Sequence, residues 1–446
     1  MGGGGDRCLP RSVGSGGRWR HRAGGAERSA PGSCCSARAA GGGCSPARQA
    51  RGGSTDPAAS DGLVGGGADL GSAGGGTMSL ERLLVFAPTR RAASETFVRA
   101  TLAGLPCEVV AYFGDECPLG KPDRLAYGLA VLLSKVCTRL GWLRLAGWPA
   151  AQVARGLIHR HRPDLVLAEF GFHAVRVMEA CPRARVPLVV HFRGSDLSAA
   201  GKLGVLRGRY RRLMQLAAGL ICKSQPMART LRELGGDPQR ILISASGANA
   251  ALFTAGDAAA APAIALAVGR FVEKKGPLLT IRAFARVPSG ELWMVGEGPL
   301  LPAARRLVTE LGLEDRVRFL GTQTQEQVAA LMRRVRVFVQ HSLVAADGDS
   351  EGNPVAVMEA QLSALPVVAT RHAGIPEVVL EGVTGWLVEE GDVDAMALAL
   401  ERLLAEPALA ARLGAAGRER VLARFTLDHH LKDLMAFLER VAADEV

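Results

Sequence analysis

Short, unbroken apolar runs recur through this chain, separated by helix-patterned segments, and the rhythm is played twice. LLVFA, CEVVAYF, DLVLAEF, PLVVHF and GLICKS come first, and AIALAV, ELWMV, VRFLG, RVFVQ and PVVA follow after a break. A strand with one wet face alternates polar and apolar residues, whereas LVL and LVV are apolar throughout and need cover on both faces. Strand–helix alternation with doubly covered strands describes open parallel sheets wound in both directions. The fold class is therefore α/β: two doubly wound, Rossmann-like domains at residues 78–252 and 263–425, joined by a small, featureless linker at 253–262. Such sheets bind ligands beyond the C-terminal ends of their strands, so chemistry is expected in a cleft between the two domains.

The first 77 residues do not share this rhythm. They are crowded with Gly, Ser, Ala, Arg and Pro and carry no periodic apolar pattern, so they cannot offset the entropy of ordering and are expected to be disordered. The alternative is that translation begins at Met78, directly before the first strand. No apolar run of seven or more follows the early arginines, which argues against a secretory leader. At the other end, over residues 426–446, Leu427, Leu431, Leu434, Leu438 and Val441 stand three or four apart, the stripe of an amphipathic helix that packs on the domains. Residues 123–147 are strongly apolar, but Lys135, Arg139 and Arg144 interrupt them, so a buried or surface-lying helix is expected rather than a membrane span.

A net charge of +11 asks for an anionic partner: a phosphorylated small substrate, an anionic membrane surface or nucleic acid. The last rests on charge alone, because the arginines lack aromatic interleaving, and nucleic acid is not expected as a partner. The nine cysteines show no paired C-x-x-C spacing and read as free thiols in a reducing, cytoplasmic compartment.

Four stretches carry chemistry. In GRFVEKKG, Arg270 and Lys275 follow a strand and precede a helix, so a guanidinium fork and a point charge stand at a sheet edge suited to a diphosphate. VGEGP at 295–299 lacks the third glycine of a dinucleotide fingerprint and reads as a tight turn near a nucleotide. The loop holding Asp347, Asp349 and Glu351 mimics a calcium loop, but the twelfth position, which needs a bidentate Glu, is Met358. Glu351 and Glu359 fit better as hydrogen-bond acceptors for sugar and ribose hydroxyls, beside a helix start opened by Gly352, Asn353 and Pro354, with the proline in the first turn.

Together, Arg270 with Lys275, the E-x7-E pair in EGNPVAVMEAQ, LPVVAT…AGIPE and GWLV resemble the family 4 retaining glycosyltransferases of GT-B fold, from about residue 80 to the C-terminus. SETF at Ser94, AEFG at Ala168 and HFRGSD at His191 are similar to the branch that makes bacterial exopolysaccharides. The resemblance implies hexosyl transfer from a nucleoside-diphosphate-sugar, without a metal or other cofactor. Arg270 and Lys275 would grip the diphosphate, Glu359 the ribose, and Glu351 with the Gly352, Asn353 and Pro354 loop the donor sugar. Arg270, Lys275, Glu351 and His191 are the catalytic candidates, and Ser94, Arg193 and Asp196 the acceptor-side or sugar-proximal ones. Two departures stand out. Where the family commonly has His-Gly-x-Asp, Arg193 precedes Gly194 and His191 lies two residues earlier, on the same strand face. Asn249 stands where an Asp is common.

The acceptor side is expected to meet a glycan or lipid-linked acceptor. RGRYRRLM from Arg207 and the apolar segment with Trp142 and Trp148 suit peripheral contact with anionic lipid on the inner face of the plasma membrane. A nucleotide-sugar epimerase or hydrolase, or a non-catalytic nucleotide-sugar-binding protein, are the competing functions.

Overall fold

The computed structural model describes residues 80–90, 96–142, 145–198 and 200–444. The tail at 1–77 and the candidate Ser94 lie outside the described residues. Among the described residues the chain forms two six-stranded, all-parallel sheets. The first comprises β1 (Arg82–Ala87), β2 (Glu108–Phe113), β3 (Leu165–Glu169), β4 (Leu188–His191), β5 (Gly219–Cys222) and β6 (Ile241–Ile243), in the order β2-β1-β3-β4-β5-β6. The second comprises β7 (Ile264–Val268), β8 (Glu291–Val295), β9 (Val317–Phe319), β10 (Val337–Gln340), β11 (Val367–Thr370) and β12 (Gly385–Val388), in the order β12-β11-β10-β7-β8-β9. The strand order turns back between β1 and β3 in one sheet and between β7 and β10 in the other. Each reversal opens a crevice at the C-terminal strand ends.

The apolar runs are apolar for the reason expected. In β3, Val166 and Ala168 enter one core while Leu165 and Leu167 enter another on the opposite face. Each buried leucine contributes about 1.5–3 kcal/mol, so strands covered on both faces hold the sheet from two sides.

One expectation gains a partner and two others change. The closing helix, Leu427–Asp444, packs on the first sheet: Leu434, Phe437, Leu438 and Val441 sit against Leu83, Leu165, Leu167 and Ile221. The chain therefore returns from the second domain to the first, pinned by Ala248 N–H to Phe425 O at 3.0 Å and Leu427 N–H to Ala248 O at 2.9 Å. An apolar stripe demands a partner but does not name it. Next, the linker at 253–262 is not featureless, because Phe253 and Ala258 are buried in the second core and Asp257 Oδ1 accepts from Ala259 N–H at 2.9 Å. Residues 123–147, finally, form no single helix. Helix Pro122–Arg139 ends before Gly141, whose φ of 76° leaves the helical region, and helix Trp148–His161 packs back against it.

Asn249 explains itself locally. Its Oδ1 accepts from Ala251 N–H at 3.0 Å and Leu252 N–H at 3.3 Å, a turn that an aspartate would close in the same way.

Candidate active site

The crevice of the second sheet is a pocket lined by Gly269, Arg270, Phe271, Lys275, Thr280 and Gln340, at the ends of β7 and β10. The chain leaves β7 through Gly269 and makes a single 3-10 turn, Glu273–Lys275, before the helix Pro277–Phe284. That turn brings Lys275 back over Gly269, and it leaves Arg270 exposed at the rim. VGEGP is the wall behind them. A Cβ at Gly296 or Gly298 would strike the backbone of Gly269 or Phe271, so two turns pack where only glycines fit.

The loop that follows β10 supplies the carboxylates. Lys275 Nζ lies 3.2 Å from Glu351 Oε1. Burial alone would push the Glu351 carboxyl up, but the charges of Lys275 and Lys274 outweigh it and hold the group below the usual glutamate range. Lys274 also ties Asp349, at 3.1 Å, and donates to Ser350 O at 3.3 Å. Two acids of the calcium-like loop, Asp349 and Glu351, are thus engaged by lysines. Pro354 stands one residue before helix Val355–Leu362, with extended backbone, rather than inside its first turn. Glu359 lies one turn into that helix and is buried, and burial raises its pKa to about 7, with Lys275 only partly opposing. In the loop before that helix, both side-chain polar atoms of Asn353 are buried and find no partner among the described residues. A buried amide with four unmade hydrogen bonds is costly unless a ligand or water completes it.

Two residues that no spacing pointed to hold this loop. His372 Nε2 accepts the Glu351 N–H at 3.1 Å, while its Nδ1 lies 2.6 Å from Glu390 Oε1. The other Glu390 oxygen accepts from Val344 N–H at 2.9 Å. Accepting at Nε2 places the imidazole proton on Nδ1, directed at the carboxylate. His372 lies within the AT…AGIPE stretch, but its partner is 18 residues further on and carries no spacing signal.

Across the cleft, the first domain uses its charges inwardly. Glu169 ends β3 opposite His191 of β4. Arg193 grips it with both arms of its guanidinium, Nε to Oε2 at 2.7 Å and Nη2 to Oε1 at 2.8 Å, and both side chains are sealed from solvent. AEFG and HFRGSD are therefore two halves of one ion pair. Burial opposes ionisation of Glu169, yet Arg193 and His191 hold it well below the ordinary range. Asp196 is fully buried and accepts from Gly171 N–H at 2.8 Å, Gly194 N–H at 2.9 Å and Arg193 N–H at 3.0 Å. It fixes the loop. His191 does not reach the cleft. It shares the β4 face of Val189, toward the closing helix, where its ring stands 5.8 Å from that of His430 and it is fully buried. Burial, then the charges of Arg193 and Lys223, keep its pKa well below 6.5. The same alternation that puts His191 and Val189 on one strand face thus aims His191 inward.

The two halves meet. Ser350 N–H donates to Ser198 Oγ at 3.0 Å, and Gln225 N–H to Glu377 Oε1 at 2.7 Å. A Cβ at Gly352 would lie 3.0 Å from Arg193 O and 3.4 Å from Lys223 Cβ. Lys223, buried and with Nζ unpartnered among the described residues, has its pKa pushed well below the lysine range by burial and by Arg193.

Comparison with known proteins agrees with this layout. The model described as glycosyl transferases group 1 matches residues 253–420, and that described as glycosyltransferase family 4 matches residues 99–251. The chain belongs to this glycosyltransferase family and is an enzyme of the hexosyltransferase type with a GT-B fold. The amylovoran biosynthesis glycosyltransferase AmsK of Erwinia amylovora is 31% identical over 344 residues, 72% of this chain and 84% of that protein. The putative colanic acid biosynthesis glycosyltransferase WcaL of Salmonella typhimurium is 32% identical over 53% of this chain and 60% of its own length. Among solved structures, Anabaena Alr3699/HepE in complex with UDP superposes with a TM-score of 0.62 at 20% identity, covering 81% of this chain and all of the other. Relatives of this chain thus act in exopolysaccharide biosynthesis.

Proposed function

We propose that this enzyme moves a sugar from a nucleoside-diphosphate-sugar to an acceptor hydroxyl, with retained anomeric configuration, during synthesis of an exopolysaccharide or related surface glycan. The observation that carries the reading is one pocket lined by Arg270 and Lys275, with Lys275 reaching Glu351 of the neighbouring loop at 3.2 Å. Two cations at a strand-end crevice match two phosphates, and the UDP held by the Anabaena neighbour fits the same fold. Arg270 and Lys275 neutralise the leaving diphosphate as its charge grows. Glu359 takes the ribose hydroxyls, which it can meet as donor or acceptor because its pKa lies about 7. Glu351 and the Asn353 amide orient the donor sugar, and the departing phosphate receives the acceptor proton, so the chemistry draws on no metal or other cofactor. The acceptor is a glycan or a lipid-linked glycan, approached from the first domain.

The test measures nucleoside diphosphate release with and without acceptor, for Arg270→Ala, Lys275→Ala and Glu359→Ala. Losing a donor to a developing charge costs about 100-fold to 1000-fold in turnover, so the two basic variants fall by that much and Glu359→Ala falls chiefly in donor affinity. Unchanged turnover in all three refutes the reading. Release that ignores acceptor makes the protein a hydrolase or epimerase, and donor binding without turnover makes it a binding protein.

A further inference from the structure

Eight of the sixteen exposed large apolar side chains among the described residues fall between Leu129 and Trp148. Leu129, Leu132, Leu133, Val136 and Leu140 occupy a stripe within about 100° of the circumference of helix Pro122–Arg139, at helical spacing. Trp142, Leu145 and Trp148 continue it through the turn, with Trp142 57% and Trp148 63% exposed. The opposite face of the helix, Tyr127, Val131, Ser134 and Cys137, is buried in the first domain. The leucine stripe therefore faces outward by construction and has no partner within the described fold.

The surroundings of the stripe are basic. Between Pro122 and His161 the sequence has six Lys and Arg against a single acid, Asp123, which is paired with Arg160. Exposed Lys121, Lys135 and Arg139 run along one flank. Helix Ala200–Leu216 carries no acid, and its Arg209 guanidinium lies against Gly147, beside Trp148. Arg207 and Arg211, one turn apart and exposed, extend the charge.

We infer that this face docks on an anionic phospholipid surface, its leucines and tryptophans entering the headgroup–acyl boundary and its cations meeting lipid phosphates. A second copy of the chain would oppose like charges, and nucleic acid offers nothing to a leucine stripe. No described helix is long and apolar enough to cross a membrane; the geometry is that of a helix lying in the interface, with tryptophans at headgroup level. The surface belongs to the first domain, so docking presents the acceptor half of the cleft to a lipid-linked acceptor. That last link rests on the proposed transfer; the docking itself does not.

The experiment is co-sedimentation of the full chain with phosphatidylcholine vesicles and with vesicles containing roughly one-third phosphatidylglycerol. Binding to the anionic vesicles only, weakened by salt, with a blue shift of tryptophan emission, is the expected result. Leu132→Glu with Leu133→Glu, and separately Lys135→Gln with Arg139→Gln, are each expected to lower partitioning about tenfold or more. The second pair replaces exposed side chains and keeps the fold, so it reads out even if the first does not fold. Transfer to a soluble acceptor stays unchanged in both, which separates this surface from the proposed reaction. Equal partitioning of parent and Lys135→Gln/Arg139→Gln, or equal affinity for neutral vesicles, overturns the inference.

Discussion

Each sheet buries a glutamate near the cleft, and the two have opposite fates. Glu169, at the reversal point of the first sheet, is matched by the fork of Arg193 and stays ionised far below its usual range. Glu359, beyond the reversal point of the second, has only the partial help of Lys275 and rises to about 7. A buried carboxylate completed inside the protein is scaffold. One left without a matching cation, on the helix that follows the loop of the unpartnered Asn353 amide, is held for something that arrives. The first domain has plugged its crevice with an ion pair, and the second has kept its crevice open.

The largest effect that breaks this comparison falls on the plugged side. Glu169→Ala strands the Arg193 charge in a sealed site, and removing one partner of such a pair costs about 3–5 kcal/mol. Denaturant unfolding measures it. Glu169→Leu combined with Arg193→Met removes both charges at similar volume and is expected to recover most of the loss. A cost below about 1 kcal/mol for the single variant shows that the pair is not scaffold.

On the open side the effect is smaller and depends on pH. Burial raises the folded pKa of Glu359 above its value in the unfolded chain. The folded state then holds the proton that the unfolded state releases, so stability declines as pH rises from the unfolded pKa toward about 7 and levels off above it. Over that window the loss is on the order of 3 kcal/mol. Glu359→Gln removes the titration, so the difference in unfolding free energy between variant and parent grows in favour of the variant from pH 5 to pH 8, to roughly that size. A difference that does not change with pH shows that the carboxyl is ionised in the fold, and the contrast with Glu169 then fails. A nucleoside diphosphate whose ribose engages Glu359 is expected to shrink the same difference.

Continuous runs such as LVL and LVV made the two sheets legible, because cover on both faces leaves its mark on every residue of the strand. Two edge strands passed unmarked: β6, three residues long, and β12, whose GWLV entered only through the resemblance. Arg270, Lys275, Glu351 and Glu359 were legible too, since a strand–turn–helix and an eight-residue spacing place them from local geometry alone. The inward set was not. Glu169 meets Arg193 across 24 residues and Ser244 meets His430 across 186, and nothing in either stretch encodes the other. The closing helix showed the same limit. Its stripe announced burial, but the choice between two apolar sheets lies in the tertiary fold.

His372 sharpens the comparison at its finest grain, because it is a completed inward group that serves the open side. Its Nε2 takes the Glu351 N–H at 3.1 Å and its Nδ1 faces Glu390 at 2.6 Å. His372→Ala leaves that backbone N–H and the Oε1 of Glu390 without the partner they have now, a cost of about 1–3 kcal/mol. If the loop answers by shifting Glu351 away from the donor sugar, turnover falls about tenfold for a misplacement worth about 1.4 kcal/mol. Gln at this position carries an acceptor oxygen at about the reach of Nε2, so His372→Gln is expected to recover most of the turnover. A structural role alone would lower the unfolding midpoint of His372→Ala and leave turnover of the folded enzyme intact. Loss of turnover with rescue by Gln instead makes His372 the residue through which the scaffold positions Glu351.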